Sequence, residues 1–153
     1  MGLTPEELMR QCRRDHVRRA ELESVIAEGG VIDRREGGPH GVGTTSDPTA
    51  SEAVALMESV DAAGVELDEM DGRLAEALRL VDRIGRGFRA HALAWLVVDA
   101  YYLDPLMPTW DQVGAALDEP KRGSTVRGWA NAALWWAGWR QELHDARHAA
   151  DAV

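Results

Sequence analysis

A chain of 153 residues fits one compact unit and is long enough to bury a core without disulfides or a metal. Its 45% apolar share comes from Ala, Leu, Val and six Trp, with one Phe and two Tyr, which favours helices over strands. The single cysteine, Cys12, excludes an internal disulfide, and a formal charge of −9 weakens a nucleic-acid partner without excluding one; with no leader pattern and no apolar run near 18 residues, a cytoplasmic chain without a membrane partner is expected.

The first helix starts at Thr4, a cap followed by Pro5, with Glu7 completing a capping box and Leu3 placed to staple onto Leu8. It is expected to stop at Gly29-Gly30, near Glu28, leaving 1–28 as an N-terminal helix. Arg10, Arg14 and Arg18 recur every four residues, with Arg13 alongside. That basic stripe is either a solvated face paired with Glu6 and Glu21 or a phosphate contact.

Six glycines and one proline make 29–47 a linker or long loop. Residues 48–153 then read as a helical domain. Asp47-Pro48-Thr49 opens a helix with Val54, Met57 and Val60 inward, which Gly64 is expected to end. The clearest helical period follows, in Leu67, Met70, Leu74, Ala77, Leu78, Val81, Ile84 and Phe88. Gly85 and Gly87 loosen it before a helix from Arg89 to about Leu103, closed by Pro105 and Pro108.

Thr109 and Gln112 form a second capping box, opening a short helix with Val113, Ala116 and Leu117 inward. A turn over Asp118–Gly123 leads to a longer helix capped by Ser124, with Val126, Ala130, Ala133, Leu134 and Ala137 on one face. Short helix, turn and longer helix over about 109–140 is a helix-turn-helix pattern. Pro120 to Gln141 carries Lys121, Arg122, Arg127 and Arg140 and no acid, and local charge matters more than the sum once salt screens beyond roughly 8–10 Å. In such a unit Arg122, Ser124, Thr125, Arg127, Gly128 and Asn131 face the major groove, with Lys121 a backbone contact.

The runs Tyr101-Tyr102-Leu103, Thr109–Leu117, Ser124–Gly128 and Ala132-Ala133-Leu134 resemble region 4 of sigma factors and the phage-encoded regulators of the ArpU and RinA type. The similarity covers roughly 89–140 and is one of layout upstream. It implies an all-α helical bundle with a C-terminal helix-turn-helix, and a phage or prophage regulator acting on double-stranded DNA. Lys121, Arg122, Thr125, Arg127 and Asn131 match the reading positions, and RNA polymerase and a second copy in a dimer are further expected partners. Two features depart from the family: a turn about two residues longer, and Trp129, Trp135, Trp136 and Trp139 where Arg, Lys and Leu are usual. Those rings have three expected places: the core, a partner surface, or a base.

No enzyme and no cofactor are expected: no GxxxxGK[ST], GxSxG or HExxH occurs. His144 and His148 have metal-pair spacing without a third ligand, and His91 reads as a core or interface residue. Two other classes remain open, a small terminase-like DNA-packaging subunit and a helical protein-interaction module that does not bind DNA.

Overall fold

The structure, a computed structural model, describes residues 2–36 and 50–151. Those residues are helical with no strand: α1 (Pro5–Glu36), α2 (Ala50–Gly87), α3 (Ala94–Val98) continued by a π-helical turn (Asp99–Leu103), α4 (Trp110–Ala115) and α5 (Gly123–Asp151). They group into two compact units, one of residues 1–16 with 72–153 and the other of residues 17–71. The division therefore falls within the two long helices, and α1 supplies its first turns to the unit that holds α3, α4 and α5.

The first capping box forms: Thr4 N donates to Glu7 Oε2 at 2.9 Å, and Glu7 N donates to Thr4 Oγ1 at 3.2 Å. The expected stop at Gly29-Gly30 does not, because α1 continues to Glu36. The linker expected over 29–47 is thus helical at its start, and residues 37–47 and the Asp47-Pro48-Thr49 cap lie outside the described residues. Gly64 likewise fails to end a helix, and two expected helices are one, α2. A glycine costs a helix interior only about 1 kcal/mol. Neighbours that bury apolar surface, such as Ala63 and Met70, outweigh it.

The larger unit closes over one core. Leu8, Met9 and Cys12 of α1 meet Leu80, Val81 and Ile84 of α2, Val97 and Val98 of α3, Tyr102, and the inward face of α5. That face is the expected one, with Val126, Ala130, Ala133, Leu134 and Ala137 all buried. Small residues there let α5 approach α3 and α4 closely, and each large aliphatic side chain buried in such a core contributes about 1.5–3 kcal/mol. On α2 the period held for Met70, Ala77, Val81 and Ile84, but Leu78 is half exposed and Leu80 is buried in its place. Val54 and Met57, expected inward, are exposed.

Two polar anchors sit beside this core. Asp15 is 6% exposed and accepts from Arg73 Nε at 2.8 Å and Nη2 at 3.1 Å, and from Gln11 Nε2 at 2.9 Å. Arg13 donates to the main-chain oxygens of Tyr101, Met107 (3.2 Å) and Pro108 (2.9 Å), with its guanidinium 3.8 Å from the centre of the Tyr101 ring. His16 Nε2 lies 3.1 Å from the oxygen of Tyr102. Carbonyls at a helix end lack partners in their own helix, and side chains of α1 supply them. Met107 has φ 52°, a left-handed conformation rare outside glycine, and its own oxygen is one of those Arg13 holds. The helix expected from Arg89 begins only at Ala94.

The smaller unit has a cluster of Leu22, Ala63 and Met70, with Val25, Ile26 and Leu67 against it. Arg18 pairs with Glu21 and Glu66, each at 3.0 Å, and Arg19 with Asp71 at 2.7 Å. Among the described residues no helix is long and apolar enough to cross a membrane.

Candidate nucleic-acid interface

α4 is short because its sequence both starts and stops it. Thr109 Oγ1 accepts from Gln112 N at 3.2 Å, and Gln112 Oε1 accepts from Thr109 N at 2.9 Å, the complete second capping box. After Ala115 the chain folds back, and the oxygen of Gly114 accepts from Leu117 N at 3.4 Å and from Lys121 N at 3.0 Å. A Cβ at Gly114 would collide with the Lys121 carbonyl, so this return requires glycine.

The start of α5 differs from expectation. Ser124 is not its cap but an exposed residue of the first turn, because the helix begins at Gly123. Gly123 N donates to Asp111 Oδ1 at 3.1 Å, while Thr125 N and Val126 N donate to the Arg122 oxygen at 3.0 and 3.2 Å. The carboxylate of one helix thus caps the next. Of the inward residues expected on α4, Val113 is buried and Leu117 half-buried, whereas Ala116 is exposed and Gly114 takes its place.

All seven candidate reading residues, Lys121, Arg122, Ser124, Thr125, Arg127, Gly128 and Asn131, are exposed. They do not form one cluster. At about 100° per residue, Ser124, Arg127, Gly128 and Asn131 share an arc of about 100° on α5. They line a cleft of about 470 Å³ with Thr109, Trp110 and Asp111. Thr125 lies about 160° round the helix from Arg127. Lys121 borders a different groove with His91 and Trp129, and its ammonium is 3.8 Å from Glu119.

All of the basic stripe but Arg18 borders the arc. Arg10, Arg13 and Arg14 of α1 surround a notch of about 280 Å³ together with Arg127 and Asn131. Trp110 stacks on Tyr101 at 3.5 Å between ring centres with the planes 9° apart, and Arg13 lies against Tyr101, so the floor of the notch is rigid. Arg10 pairs with Glu6 at 2.6 Å on an open surface, and Arg14 donates to Gln11 at 2.9 Å. Exposed pairs of this kind are weak, so both cations can be re-aimed at a polyanion. Arg18, by contrast, sits in the smaller unit between two glutamates.

The tryptophans divide. Trp129 stacks on His91 with ring centres 5.4 Å apart, and Trp136 meets Phe88 at 5.8 Å, both half-buried at the core margin. Trp135 is 72% exposed and Trp139 45%. His144 and His148 touch through their Nε2 atoms at 3.1 Å, and among the described residues no group of three or more His, Cys, Asp or Glu could hold a metal.

The Arg13 clamp, the Asp111 cap and the Tyr101–Trp110 stack were not among the candidate residues. A single-residue signal existed only for Asp111, an acid at the first turn of α4 opposite a turn rich in backbone donors. No protein-family model, curated protein or solved structure matches the chain.

Proposed function

We propose that α4 and α5 are a helix-turn-helix that binds double-stranded DNA, and that the protein is a sequence-specific transcriptional regulator. The observation that carries this reading is the exposed arc of Ser124, Arg127, Gly128 and Asn131 beside Arg10, Arg13 and Arg14. Arginine matches the O6/N7 edge of guanine and asparagine the N6/N7 edge of adenine, so Arg127 and Asn131 are the base readers. Arg10 and Arg14 sit where backbone phosphates would pass, and phosphate contacts set register without reading sequence. Asp111, the carboxylate on this cleft, is engaged as the cap of α5. Glu6 and Glu142 share a pocket with Asn131 on one side, while the notch on the other side has Arg10, Arg13, Arg14 and Arg127 and no lining carboxylate, which supports the DNA reading over an interaction module without DNA.

Selection of bound sequences from a random duplex library at moderate salt tests it, with one enriched motif expected. Arg127→Ala should cost about 1–3 kcal/mol and relax preference at one position. Arg14→Ala should weaken all sequences alike and reduce the salt slope by about 0.9. The absence of an enriched motif, with affinities indifferent to both changes, would overturn the assignment.

A further inference from the structure

A groove of about 740 Å³ in the larger unit lies between the end of α2 and the middle of α5. Arg83 and Arg86 line it from α2, and Trp136, Trp139, Arg140 and His144 from α5. In a chain with 26 acidic and 17 basic residues, this groove has three guanidinium groups and no lining carboxylate. Arg83 donates to the neutral Gln141 at 3.2 Å, and Arg86 makes a 3.0 Å pair with Asp82 in which both side chains are mostly exposed. Such a pair yields readily to a better anion. An anion entering the groove would therefore meet Arg83, which donates to a neutral amide, and Arg86, whose carboxylate partner stands in water.

The second half of the argument is aromatic. Trp136 is a fixed wall: its indole edge lies against the backbone at Gly87, where an added Cβ would stand 2.5 Å from Cη2, and Phe88 meets it on another side. Trp139, one turn away, is an open indole, 45% exposed. A bare phosphate would leave that indole uncovered, and an apolar ligand would leave the guanidiniums in a less polar setting without partners. A group that stacks and also carries phosphate satisfies both. The volume lies inside the roughly 300–1,000 Å³ usual for small-molecule sites.

We propose that this groove binds a nucleotide, its base against Trp139 and its phosphates among Arg83, Arg86 and Arg140. Arg140 follows Arg127 by thirteen positions, which places it about 140° round α5 from that residue. Trp139 lies about 20° round the helix from Gly128 and shares a pocket with Asn131, so the two surfaces adjoin, but none of Arg83, Arg86, Trp139 and Arg140 belongs to the reading arc and the inference does not need the DNA reading.

The test is titration of the full chain with ATP and, separately, with a single-stranded deoxyadenosine octamer, followed by tryptophan fluorescence and equilibrium dialysis. Saturable binding of ATP is expected, weakened about tenfold or more by Arg140→Ala and by Trp139→Ala and unchanged by Arg127→Ala. Both side chains are exposed, so neither change removes core packing; helicity is checked for each, and if one variant unfolds the other decides. No saturable binding up to millimolar ATP would overturn the proposal. So would an affinity indifferent to both substitutions, binding of the octamer without ATP, or loss of ATP binding in Arg127→Ala, which would put the nucleotide on the reading arc.

Discussion

The two units are built from stretches of the same two long helices, yet they are stabilised in different ways. The larger one closes around a continuous core and fixes its polar groups at the core edge, with Asp15 held by Arg73 and Gln11, and Arg13 holding three carbonyls. Among the described residues the smaller has three buried apolar residues and ion pairs that stand in water. Helical period alone does not separate these cases, because amphipathic spacing says which face turns inward and not how much waits there to cover it. Val54, Met57 and Val65 are exposed on the same helix whose later turns bury Leu80 and Ile84.

The sharpest way to break this comparison is to remove a carboxylate from each unit. Asp15→Ala should destabilise the larger unit by about 3–5 kcal/mol, since it removes the buried carboxylate from its pair with the partly buried Arg73. Asp71→Ala removes an exposed partner of Arg19 and should cost no more than about 1 kcal/mol. Equal losses in urea melts of the two variants would show that the distinction has no energetic content.

A smaller contrast lies within the larger unit, at two glycines. Gly114→Ala forces a Cβ against the Lys121 carbonyl and should cost about 1–3 kcal/mol, with loosening of the turn before α5. Gly128 has nothing within 4 Å of the Cβ position and is helical, so Gly128→Ala should stabilise by about 0.4–1 kcal/mol. Thermal melts of the pair check both signs.

A further effect is chemical and reports the larger unit alone. Cys12 is buried in its core, and that burial, helped by the nearby Asp15 charge, pushes the thiol up to about 11 from 9.0. The folded thiol should react with an aromatic disulfide at pH 8 far more slowly than the thiol of the urea-unfolded chain. The folded state keeps its proton between about pH 9 and 11 while the unfolded chain loses it, so stability falls as pH rises through that window. A melting profile flat from pH 9 to 11, or a thiol that reacts equally fast in both states, would contradict the burial.

What was legible beforehand was local. Thr4 with Glu7 and Thr109 with Gln112 announce helix starts because the groups concerned lie three residues apart. The inward face of α5 was also legible, since small and branched residues recur there at helical spacing. The misread positions share a different cause: Gly29, Gly30 and Gly64 carry a local penalty that the surrounding helix absorbs, and no local rule weighs one against the other. The start of α5 was misassigned to Ser124 because its cap, Asp111, reaches it only after α4 and α5 have packed. The exposed arc of Ser124, Arg127, Gly128 and Asn131 was half legible, as residue types but not as directions, which is why Thr125 and Lys121 were grouped with side chains that line other surfaces.

Arg13 lies 88 to 95 residues from the carbonyls it binds. A fragment trimmed to α3, α4 and α5, the natural choice for grafting the motif onto another scaffold, would therefore arrive without the strut that holds Met107 in its left-handed turn. It would also lack Leu8, Met9 and Cys12, leaving an apolar scar open to water. Any portable version of this module must carry the first turns of α1 with it, as a separate peptide or through a redesigned connection.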